Sequence, residues 1–105
     1  MQAIADAFER IRRNGRPGLV TYVTAGDPDL TRSAEILEAV AAAGADVLEV
    51  GVPFSDPLAD GPVIQRASER ALKCGTTLRK TLAMIGRARP RLGAPVVLFT
   101  YANPV

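Results

Sequence analysis

An α/β fold built on a parallel sheet is what this sequence predicts, and three observations carry that prediction. Leu19–Thr24, Asp46–Gly51 and Val96–Tyr101 are short runs rich in β-branched and aromatic residues, and they read as strands. Stretches with apolar residues at helical spacing separate them. The resulting strand–helix units run roughly 25 and 45 residues, too unequal for a solenoid and consistent with βαβ crossovers in one parallel sheet. The chain has 105 residues, 48% of them hydrophobic, which is ordinary for a globular protein and long enough for one domain at most.

Each element has a local cause. Ile4, Phe8 and Ile11 recur at helical spacing, so residues 2–13 read as an amphipathic helix, and Asn14-Gly15-Arg16-Pro17-Gly18 turns the chain into the first strand. Ala25-Gly26-Asp27-Pro28-Asp29 is a loop, and Asp29 or Thr31 is placed to cap the next helix. That helix carries Ile36, Leu37, Val40 and Ala41 on one face, and Gly44 suits its C-terminal cap. After the second strand, Pro62 sits in the first turn of a helix that runs to about Cys74 and stops at Gly75. Thr76 or Thr77 starts another, with Leu78, Leu82 and Ile85 on one face, and Pro90 and Gly93 break it before the third strand. Asn103-Pro104 is a turn beyond that strand.

Composition removes several kinds of chemistry. Thirteen basic and 11 acidic residues give a net charge of +2, so nothing points to a nucleic-acid partner. Arg87, Arg89 and Arg91 fall at a helix C-terminus, where the helix dipole favours cations. No apolar run reaches the roughly 18 residues of a membrane helix, and residues 1–13 lack the apolar core of a signal peptide, so a cytoplasmic protein with no membrane partner is expected. The chain has no histidine, which rules out Ser-His and Cys-His machinery within it. Its one cysteine, Cys74, excludes an intrachain disulfide and a cysteine-based zinc site, and reads as a small packing residue. Gly15-Arg16-Pro17-Gly18 lacks the Gly-Lys-Ser/Thr ending of a phosphate loop. Acid/base work falls to carboxylates, lysines or tyrosines.

The stretch Leu48-Glu49-Val50-Gly51-Val52-Pro53-Phe54-Ser55-Asp56-Pro57-Leu58-Ala59-Asp60-Gly61-Pro62 is where such work belongs. It sets a glutamate inside an apolar strand and follows the strand with a proline-stiffened loop bearing two more carboxylates. Side chains alternate across a strand, so Val47, Glu49 and Gly51 share one face and Leu48 and Val50 the other. If helices cover Leu48 and Val50, Glu49 points inward near the C-terminal end of the strand, where α/β folds bind ligands. A charge there is costly unless it is paired, protonated or used. The residues alone leave two readings of Glu49 open, a structural ion pair with an arginine from another strand and an acid/base group. Asp60, just before a helix, is equally a cap, and Asp56-Pro57 equally a turn. Asp27-Pro28 is a turn without a chemical signal.

This stretch resembles, nearly position for position, the signature of the tryptophan synthase α-subunit family, the indole-3-glycerol-phosphate lyases. Tyr22-Val23-Thr24-Ala25-Gly26-Asp27-Pro28 resembles the end of that family's first strand, and Tyr101-Ala102-Asn103-Pro104 the end of its third. The resemblance implies a TIM (β/α)8 barrel, of which residues 1–105 are a single partial domain: an initial helix, three parallel strands and the helices between them. It implies retro-aldol cleavage of indole-3-glycerol phosphate to indole and glyceraldehyde 3-phosphate. In that reaction Glu49 is the general acid/base and Asp60 accepts a hydrogen bond from the indole N–H. Tyr22 forms an aromatic wall beside the indole, with Phe99 a further contact. Pro53, Asp56 and Asn103 lie near an interface with a β subunit in an α2β2 complex. No metal or organic cofactor is implied for this chain, and pyridoxal phosphate is expected only in the partner. The family's phosphate-binding glycine loops fall in later strands. A 105-residue piece is therefore expected to be poorly stable and inactive alone, with open strand edges and an open apolar face. The alternative is a non-catalytic half-barrel module that binds or activates a β subunit.

Overall fold

Val20–Thr24 (β1), Val47–Gly51 (β2) and Val96–Phe99 (β3) form a parallel sheet in chain order in the computed structural model, which describes residues 2–54 and 61–100. The ladder pairs Tyr22 with Glu49 and Glu49 with Val97, and one row on, Thr24 with Gly51 and Gly51 with Phe99. Tyr101 and the Asn103-Pro104 turn lie outside the described residues. β1 and β2 each begin one residue later than the sequence suggests. There the Leu19 N–H goes to the Asp46 carboxylate at 2.8 Å, and a side chain takes the place of a ladder bond.

The helices are Gln2–Asn14 (α1), Leu30–Ala42 (α2), Pro62–Lys73 (α3) and Leu78–Ala88 (α4), the last followed by a 3-10 turn at Arg89–Arg91 that contains Pro90. Of the two candidate caps for α2, Asp29 is the one used: its carboxylate accepts the Arg32 N–H at 2.7 Å. Thr77 caps α4, accepting the Lys80 N–H at 3.1 Å, while Thr76 is buried. Gly44 follows α2 at φ 117°, a backbone region open to glycine and costly for other residues. Gly61, without a side-chain bond, occupies the N-cap of α3, and Pro62 is its first residue. Asp60, which the sequence offers equally as a cap, lies outside the described residues.

The core lies between the outer face of the sheet and the helices. Leu48 and Val50 of β2 and Leu37 of α2 are fully buried, with Met84 and Ala88 of α4 and Leu92 packed around them. Each large side chain so buried contributes about 1.5–3 kcal/mol. Two helices bury a different stripe from the one their most hydrophobic residues suggest. In α1, Ala7 is fully buried and Phe8 is exposed. In α4, Thr81, Met84 and Ala88 are buried against α2 and the sheet, while Leu82 is half-exposed. Leu82 lies beside an open cleft of about 270 Å³ that it shares with Ile4, Ile85 and Leu98. Cys74, expected to pack, is exposed, and its Sγ donates to the Pro28 carbonyl at 2.9 Å.

Candidate active site

The two faces of the sheet differ sharply in exposure. On the helix side Leu48 and Val50 are 0% exposed; on the other, Val20 is 47%, Tyr22 36% and Phe99 50% exposed, although Val47 and Thr24 on that face are buried. Strand alternation puts Glu49 on this open face, in one row with Tyr22 and Val97. It is half-buried and two residues before the C-terminal end of β2. Among the described residues no arginine or lysine pairs with it, so the ion-pair reading of Glu49 finds no partner.

Tyr22 and Phe99, on the two outer strands, converge over the middle one. Their ring centroids are 6.2 Å apart and their planes 81° apart, an edge-to-face pair. The pair forms an aromatic corner on the face that carries Glu49. A half-buried carboxyl group beside two aromatic rings suits proton transfer to or from a flat apolar ligand.

Pro53 leaves the end of β2 and is buried. With Val52, Phe54, Leu72, Thr76, Leu78 and Thr100 it lines a cavity of about 340 Å³, and the Val52 N–H donates to the Phe99 carbonyl at 2.9 Å. Asp56, Asp60 and Asn103 lie outside the described residues.

The loop after β1 is held in place by contacts the sequence did not signal. The Asp27 carboxylate accepts two hydrogen bonds from Arg70 of α3, at 2.8 and 3.0 Å, and this pairing raises the guanidinium pKa above its ordinary value. The Gly26 N–H donates to the Ser33 hydroxyl, which in turn donates to the Asp29 carbonyl, both at 2.9 Å. Gly26 has φ 89°, and a Cβ there would stand 2.8 Å from Thr76 Cβ and closer still to its hydroxyl. Only glycine lets the loop press against the start of α4.

Among the described residues, a carboxylate that accepts three hydrogen bonds is at the opposite end of the strands. Asp46 is buried; Arg16 donates to both its oxygens at 3.0 and 2.8 Å, and the Leu19 N–H adds a third bond. The Arg16 hydrogen bonds first, then the Leu19 N–H, hold its carboxyl down at about 2, against an opposing push from burial. Asp46 was available to the same cost argument as Glu49, because it too opens an apolar strand; Arg16 was hidden in a turn 30 residues earlier.

Known proteins converge on one family. A family model described as "Tryptophan synthase alpha chain" matches residues 8–105. The tryptophan synthase alpha chain of Synechococcus sp. (strain CC9902) is 54% identical over 103 residues, covering 98% of this chain and 38% of the relative. That of Geobacter sulfurreducens is 52% identical over 105 residues, covering 100% and 40%. Among solved structures, the tryptophan synthase subunit alpha of Legionella pneumophila superposes with a TM-score of 0.92 at 42% identity, over 97% of this chain and 39% of that one. Tryptophan synthase of M. tuberculosis in its aminoacrylate-bound form superposes with a TM-score of 0.90 at 42% identity, over 98% and 42%. The chain spans about two-fifths of the length of the curated relatives it matches. What it shares with them are the opening strands and helices of a (β/α)8 barrel.

Proposed function

This chain belongs to the tryptophan synthase alpha chain family, and on that premise we propose that it serves tryptophan biosynthesis as part of a lyase that cleaves indole-3-glycerol phosphate to indole and glyceraldehyde 3-phosphate. The observation that supports this reading most directly is Glu49, without a cationic partner among the described residues, on an open sheet face beside the edge-to-face pair of Tyr22 and Phe99.

Breaking the bond at indole C3 takes a proton added to C3, positive charge stabilised at the ring nitrogen, and a proton removed from the side-chain hydroxyl. Glu49 handles both protons in this proposal, giving one to C3 and taking one from the hydroxyl. Asp60 accepts the indole N–H and, ionised, stabilises the cationic indolenine. Tyr22 and Phe99 supply the apolar walls that orient the ring. The reaction so written calls on no metal or organic cofactor in this chain.

The same premise supplies the partner, a β subunit in an α2β2 assembly, which would hold the pyridoxal phosphate. Pro53, Asp56 and Asn103 would lie near that partner. A cytoplasmic setting belongs to the same reading. Among the described residues no helix is long and apolar enough to cross a membrane.

The test is indole release from indole-3-glycerol phosphate by the full-length protein, alone and with a β subunit. Turnover that rises when the β subunit is added supports the proposal. A protein that accelerates the β subunit but releases no indole would be the non-catalytic module instead.

A further inference from the structure

The ring of Tyr22 leans along the strand direction, out of its own row and into the next. That next row holds Thr24 on β1, Gly51 on β2 and Phe99 on β3. Gly51 is therefore a gap in the open face, with a side chain on either side of it. A Cβ at Gly51 would stand 2.5 Å from Tyr22 Cζ, 3.1 Å from Cε2, and closer still to the hydroxyl oxygen. Nothing in the backbone demands glycine here, because Gly51 is not among the glycines with positive φ. The three atoms nearest to a side chain at 51 all belong to the Tyr22 phenol.

We propose that Gly51 is a positioning residue for the aromatic wall: its missing side chain is the floor on which the Tyr22 ring rests. The floor sets the angle at which Tyr22 meets Phe99, and so the shape of the slot beside Glu49. The atoms nearest to a Cβ at Gly51 belong to a side chain and not to backbone, so a methyl group at 51 displaces the ring first. The ring swings out while the β2 backbone stays in register. The protein folds, and the wall is lost. This inference rests on the lyase reading for its effect on indole, but not for its effect on the ring.

Gly51→Ala is compared in the full-length protein in three backgrounds: Tyr22, Tyr22→Phe and Tyr22→Leu. With Tyr22 in place, kcat/KM for indole release falls by about tenfold or more, chiefly through KM. With Phe the loss is smaller, because the closest contact is gone but the ring carbon remains. With Leu the substitution costs less than about twofold. Equal losses in all three backgrounds would overturn the proposal. If the full-length protein releases no indole at all, the lyase reading falls and the crystal structure of Gly51→Ala decides the positioning claim by itself. A Tyr22 ring turned away from Phe99 upholds it, and an unmoved ring overturns it. Should Gly51→Ala fail to fold, Gly51→Ala/Tyr22→Leu folds if the ring is the cause; a double variant that also fails to fold refutes it.

Discussion

At the amino end of the sheet the Asp46 carboxylate accepts three hydrogen bonds, two of them from Arg16, and is buried. At the carboxyl end Glu49, three residues later on the same segment, is half-buried with no cation on it among the described residues. One acid precedes an apolar strand and the other sits within it, and both raise the same question of what offsets the cost of burial. Asp46 answers it with partners, which makes it a clamp between the turn before β1 and the start of β2. Glu49 answers it with partial exposure on an aromatic-lined face. The division follows the general plan of parallel barrels, in which the amino ends of the strands serve stability and the carboxyl ends serve chemistry.

The widest separation between the two acids is expected from Glu49→Gln in the full-length protein. Indole release falls by roughly 10³-fold, as for loss of a general acid/base, while substrate binding and Tm are retained. Asp60→Asn loses less, about 10- to 100-fold, since an amide keeps the hydrogen bond to the indole N–H but not the charge. An unchanged rate would refute the electrostatic role. Asp46→Asn inverts the pattern: Tm falls by a few degrees and activity stays within about threefold of wild type.

Acid sharpens the same contrast. The folded-state value of Asp46, about 2, lies below its ordinary 3.8, so the unfolded chain binds the proton more readily. The stability Asp46 contributes is therefore complete above the ordinary value and is lost as pH falls through about 2. Urea titrations in that window should show wild type losing stability more steeply than Asp46→Asn; parallel curves would remove Asp46 from the account. The smallest effect belongs to neither end. Thr77→Ala deletes the cap of α4 and costs about 1 kcal/mol without changing indole release.

The elements were largely legible because their causes are local. Asp29, Thr77, Pro62 and Gly44 punctuate helices by their own chemistry, and β-branched runs make strands whatever surrounds them. The face of Glu49 was legible too, because alternation is a property of the strand alone. What the sequence hid depends on neighbours distant along the chain. Arg16 meets Asp46, Arg70 meets Asp27, and Gly51 makes room for a ring on another strand. Burial on α4 was misjudged for the same reason: Leu82 is the more hydrophobic residue, but Thr81 is the one that is buried. The resemblance to the family proposes roles for Glu49 and Asp60 that no local rule assigns.

Proton transfer at indole C3 tests the central claim most directly. Full-length protein is incubated with indole and glyceraldehyde 3-phosphate in heavy water, and loss of the C3 hydrogen signal is followed by proton NMR for wild type and Glu49→Gln. Fast exchange in the wild type, and exchange no faster than buffer in a variant that still binds indole, is the result predicted. Exchange at the wild-type rate in Glu49→Gln would contradict it and move the proton to another group.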